Sequence, residues 1–91
     1  MNPMLIASLA DALKSYRAAT AHTTDSEARE DYSRLAAIVN KVVAAMEVDD
    51  IVQVKLGVLG FSRQVSDAFS RPPPEFTLLA EKIASVKRLL S

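Results

Sequence analysis

The sequence predicts an all-α domain, a small up-down bundle of four helices, and three observations predict it. Apolar residues recur at alternating three- and four-residue steps along four separate segments, the period of a single helix face. The breaks between those segments are short and either polar or proline-rich, so successive helices must fold back on one another. The chain holds only two glycines and is 49% apolar, a composition that suits helices better than the many turns of a sandwich or barrel.

In the first segment Leu5, Leu9, Ala12, Tyr16 and Ala19 mark one face of a helix over residues 4–20. Pro3 can occupy its first turn, because the earliest amides of a helix have no internal acceptor to lose. His22, Thr23 and Thr24 make a polar break. Thr24 and Glu27 then have the spacing of a capping box, which opens a second helix over residues 25–47. Ala28, Tyr32, Leu35, Val39, Val42 and Met46 form its apolar face, and the pairs Asp25/Arg29 and Glu30/Arg34 are spaced for ion pairing one turn apart.

Val48, Asp49 and Asp50 leave room for only a turn, with either aspartate able to cap a third helix over residues 50–70. Ile51, Val54, Val58, Phe61, Val65 and Ala68 form one stripe on it, and Val52, Leu56, Leu59 and Phe69 form a second. A strand competes locally, since Val52, Val54, Leu56 and Val58 alternate with Gln53, Lys55 and Gly57. It ranks below the helix because a lone strand among helices has no partner to complete its backbone hydrogen bonds. Gly60 offers the main variant, a break in the third helix. Arg71-Pro72-Pro73-Pro74 stops any helix. Phe76, Leu79, Ile83, Val86 and Leu90 then define a fourth over residues 75–90.

Ninety-one residues make a single domain, 1–91, with no internal repeat. Eleven basic and eleven acidic side chains cancel, so no net field draws the molecule to nucleic acid or to anionic lipid. The absence of cysteine removes disulfides and thiolate chemistry together and fits a reducing compartment. The first residues lack a signal-peptide pattern, and no apolar run approaches the length of a membrane span. The expected location is cytoplasmic, with no membrane association.

Chemistry finds few candidates. The single histidine, His22, falls in a turn rather than beside a nucleophile, and no serine sits in a nucleophile-elbow pattern. Glu27, Glu30 and Asp31, and Glu47, Asp49 and Asp50, lack the alternating oxygen ligands and central glycine of a calcium loop, and they suit helix caps. Gly57 and Gly60 have bare Gly-x-x-Gly spacing, but apolar residues lie between them. Close helix packing at Gly57 and a bend or break at Gly60 account for them better than a phosphate clamp. The reading assigns no catalytic, metal or cofactor residue, and the protein is expected not to be an enzyme.

Two binding surfaces remain. Residues 50–71 resemble a degenerate helix-turn-helix: Gly60 in the turn is followed by an apolar residue and the capping Ser62, and Arg63, Gln64, Ser66 and Arg71 face a DNA groove. Leu56 and Ser66 depart from that pattern, and zero net charge disfavours phosphate binding. The resemblance implies a DNA-binding regulator and is the second choice. The first is a protein-protein interaction module: an adaptor, inhibitor or assembly subunit, with a homodimer as one form it could take. Val52, Leu56, Leu59, Phe69, Leu78 and Leu89 are apolar yet have no place in the shared seam, so an unidentified protein partner is expected on the third and fourth helices.

Overall fold

Helix propensity and the two-stripe pattern resolve as four α-helices in a computed structural model that describes residues 1–68 and 73–90. They are α1 (Pro3–Thr20), α2 (Ser26–Glu47), α3 (Ile51–Ala68) and α4 (Pro74–Leu90). No strand occurs among the described residues. Each helix begins within a residue of its expected start, α1, α2 and α4 end where expected, and the expected last two residues of α3, 69–70, lie outside the described residues.

The starts are set by side chains that satisfy first-turn amides. The Asn2 side chain accepts from the Met4 amide, with Pro3 at the first helical position. For α2 the cap is Asp25, not the Thr24 expected from the capping-box spacing: its Oδ1 accepts from the Glu27 and Ala28 amides at 3.0 and 3.3 Å. A carboxylate is the stronger acceptor, and its charge also complements the positive end of the helix. With Asp25 so engaged, the expected Asp25/Arg29 pair does not form. The Arg29 guanidinium instead donates to the Thr23 carbonyl oxygen from Nε and Nη2, at 3.2 and 3.0 Å. The Glu30/Arg34 pair does form, at 3.6 Å, on an exposed surface where such pairs contribute little.

The turn from α2 to α3 needs a left-handed residue, and Asp49 supplies it with φ 55°. The Asp50 amide donates to the Ala45 carbonyl and the Asp49 amide to that of Met46, the two bonds of a Schellman ending. Asp50 then caps α3, its side chain accepting from the Gln53 amide at 3.2 Å. Asp49 also receives the N-terminal ammonium of Met1, which ties the start of the chain to this turn. Both aspartates expected to cap α3 thus have separate tasks.

Around the bundle, α1 packs on α2 and α4, and α3 packs on α2 and α4. No close backbone approach crosses the diagonal among the described residues. This ring in chain order is that of an up-down bundle. α2 and α3 are the most extensively packed pair, α3 and α4 the least.

Leu9, Tyr16, Leu35, Val39, Val42, Met46, Val54, Leu79 and Val86 fill the centre with their side chains fully buried. Leu13, Ala36, Val43 and Ala45 are buried beside the expected stripes, because a helix in a ring has two neighbours to cover rather than one. Ala19 and Ile51, expected to face inward, are exposed. Both lie at the end of a stripe, where the helix leaves its neighbours. Phe61 stacks on Phe76 with ring centroids 6.0 Å apart, joining α3 to α4.

Tyr16 is the polar exception in the core. Its hydroxyl donates to the Tyr32 carbonyl oxygen at 3.4 Å, and its ring meets that of Tyr32 edge-on. Burial above all, then the nearby Tyr32 and Asp31, pushes its pKa well above the ordinary value near 10. The folded chain therefore favours neutral Tyr16. The stability this gives is complete below pH ~10, where the unfolded tyrosine is also neutral, and it declines as pH rises beyond that. Thermal unfolding followed from about pH 9 to 11 should show wild type losing stability more steeply than Tyr16→Phe.

At the Schellman turn, Asp49→Val should lower stability by about 1–2 kcal/mol, because a β-branched residue resists the left-handed conformation. Asp49→Asn, which tolerates it, should be near neutral. Urea unfolding of the two variants checks this.

Candidate functional site

The outward face of α3 is the strongest candidate, and the inward face determines where it points. Val54, Val58 and Phe61 are buried in the core. At 100° per residue, Val52, Leu56, Leu59 and Arg63 then fall on the opposite side of the helix. Val52 is 66%, Leu56 55% and Leu59 47% exposed. They form an apolar ladder at four- and three-residue steps, ending at exposed Arg63.

Leu78 and Leu89 of α4 are also exposed, eleven residues apart and so on one face of their own helix. Leu89 lies at the end of the bundle beside a shallow hollow of ≈ 330 Å³ with Met1, Ile51 and Lys55. Leu59 borders a second hollow, ≈ 310 Å³, with Ser62, Lys87 and Leu90. Leu56 borders a third, ≈ 210 Å³, on the other side of α3 with Ile38, Lys41, Gln53, Gly57 and Gly60. Val52, Leu56 and Leu59 thus share one face of α3, while Leu89 of α4 borders Ile51 and Lys55 at the end of that helix. Phe69 lies outside the described residues.

Gly57 and Gly60 differ sharply in what surrounds them. A Cβ on Gly57 would fall 2.5 Å from Cγ2 of Val42, a fully buried and branched side chain with nowhere to move. The bare backbone at Gly57 is what lets α3 lie against α2. A Cβ on Gly60 would meet nothing closer than Cγ2 of Ile38 at 3.9 Å. No internal packing requires glycine there, so its missing side chain simply leaves the hollow beside Leu56 open. Sequence reasoning missed that hollow: the helical glycine was legible, but that no internal contact needs it shows only in the structure.

The helix-turn-helix reading fails on the backbone. α3 runs unbroken through Leu59, Gly60 and Phe61, so the expected turn and the break at Gly60 are both missing. Glycine weakens a helix by only about 1 kcal/mol, and packing of the flanking Val58 and Phe61 outweighs that. Arg63 and Ser66 are exposed and Gln64 half-buried on this one helix, while Arg71 lies outside the described residues.

His22 is exposed in the connection between α1 and α2. Of the two acidic clusters, Glu30 pairs with Arg34, Asp49 holds the Met1 ammonium and Asp50 caps α3. Among the described residues no group of three or more histidine, aspartate or glutamate side chains is placed to hold a metal ion. No described helix is long and apolar enough to cross a membrane.

Fold and surface together define a small helical bundle with an uncovered apolar face on its third helix. Comparison with protein-family models, with curated proteins and with solved structures gave no significant match.

The two glycines should separate in unfolding experiments on dilute protein. Gly60→Ala should stabilise by about 0.5–1 kcal/mol through helix propensity. Gly57→Ala should destabilise, since overpacking costs about 1–3 kcal/mol and exceeds the propensity gain. That loss should shrink in a Val42→Ala background, which removes the obstructing methyls.

Proposed function

We propose that this protein is a non-enzymatic interaction module, an adaptor, inhibitor or assembly subunit, that binds a protein partner through its third and fourth helices. One observation carries the reading: the Val52, Leu56 and Leu59 ladder stands in solvent on the side of α3 away from the core. Nothing inside the domain requires three large aliphatic side chains at those positions. Contiguous apolar surface of this kind marks contact sites, because covering it removes hydrocarbon from water.

The spacing also suits a helical or flat partner surface, since four-three steps place the three side chains in one row. Lys55, Ser62 and Arg63, all exposed around the row, supply the polar rim such interfaces have. The location that fits this module is the cytoplasm, consistent with a chain that lacks cysteine.

Leu56→Lys tests the proposal. The substitution lies at an exposed position and should change stability by no more than about 0.5 kcal/mol. Capture of a partner from an extract of the native host, or self-association measured by light scattering, should weaken about tenfold or more, as for a central apolar anchor. Equal capture and equal mass for wild type and variant would refute the module.

A further inference from the structure

We propose that the partner of this face is a second copy of the chain, joined across a two-fold axis near Leu56, with each Leu56 entering the hollow beside Gly57 and Gly60 of the other copy. The inference rests on the interaction-module reading and commits it to one occupant.

Three observations support self-pairing. First, projection and hollow occur on the same face. Leu56 stands out from α3, and Gln53, Leu56, Gly57 and Gly60 edge the hollow at steps of three, four and seven residues. These four residues form the α3 wall of the hollow and Ile38 and Lys41 of α2 the other, a groove that a side chain from a facing helix can enter. A two-fold contact requires one patch to carry both complementary shapes, and this one does.

Second, Gly60 has no internal task. Its Cβ position is open except for ordinary contact with Ile38, and yet glycine weakens the helix. An incoming side chain from outside gives the vacancy a use: Leu56 of the other copy would rest against Ile38, itself partly buried against the core.

Third, the charges match in the register that the shape sets. A two-fold axis across α3 makes the paired helices antiparallel. Arg63 lies seven residues after Leu56, and Asp49 lies seven before it. Seating Leu56 in the hollow therefore brings Arg63 of each copy beside Asp49 and Asp50 of the other, with Val52 near Gly60 and Leu59 near Gln53. Arg63, Asp49 and Asp50 are all exposed. Arg63 thus lies toward one end of the row and the exposed carboxylates of the α2–α3 turn toward the other, where Asp49 also holds the Met1 ammonium and Asp50 caps α3, so opposite charges approach in an antiparallel pair and like charges in a parallel one.

Sedimentation equilibrium and site-directed crosslinking test the pairing. Wild type should rise with concentration from 9.9 kDa toward twice that mass. Gly60→Leu should fill the hollow and hold the chain at 9.9 kDa with an unchanged helical circular dichroism spectrum. If that variant fails to fold, Arg63→Glu provides the second reading: it should weaken association, and more so at low salt. Because the chain has no cysteine, Leu56→Cys reports its own neighbour. On oxidation it should link two chains, whereas Leu89→Cys should not.

A wild type that stays monomeric up to about 1 mM, or a Leu56→Cys variant that links no better than Leu89→Cys, overturns the pairing. A monomeric wild type that loses another protein on Leu56→Lys overturns the pairing and leaves the module intact. Monomeric behaviour with capture unaffected by Leu56→Lys removes both.

Discussion

The approach of α3 to α2 at Gly57 is the constraint on which the rest of the molecule depends. With no side chain at this position, the backbone of α3 sits against the buried Val42 of α2, and this is the most extensively packed pair in the bundle. Once that contact is made, the rotation of α3 about its axis is settled. Val54, Val58 and Phe61 must enter the core, and the residues half a turn away must leave it. The apolar ladder is therefore a consequence of how the core is packed, although burial of the ladder itself contributes nothing to the single chain.

The other contacts reinforce the same rotation. The Schellman turn at Asp49 and the cap at Asp50 set the direction in which α3 leaves α2. The stack of Phe61 on Phe76 holds its far half against α4. Between these points α3 has neighbours on two sides only, and its remaining surface is more apolar than a solvated helix face ordinarily is. A face that is both rigidly presented and poorly hydrated suits contact with another protein, because little ordering remains to be done on binding.

Much of this was legible from residue spacing alone. The stripes through Leu9 and Tyr16, Leu35 and Val42, Val54 and Phe61, and Leu79 and Val86 all point inward as their periodicity predicts. The points that escaped are those where two local preferences compete. Asp25 displaced Thr24 as the α2 cap because two potential caps stood side by side and the charged one bonds more strongly. The helix persisted through Gly60 because tertiary packing on either side outweighs a weak local penalty. The extra buried residues Leu13, Ala36, Val43 and Ala45 belong to the second neighbour of each helix, which a single seam does not anticipate.

For the candidate site the division is similar. Leu56, Val52 and Leu59 could be identified as surplus to one seam, but not as a row left exposed opposite the buried Val54, Val58 and Phe61. Nor could the hollow at Gly60 be seen without Ile38 beside it. By itself the sequence determined that the chain is four amphipathic helices joined by short turns, since periodicity, caps and helix breakers are local properties of neighbouring residues. Only the tertiary structure decided which of two apolar stripes on α3 is sealed and which is left in water. That choice depends on the close fit of Gly57 to Val42, a contact between residues fifteen positions apart whose geometry no local pattern encodes.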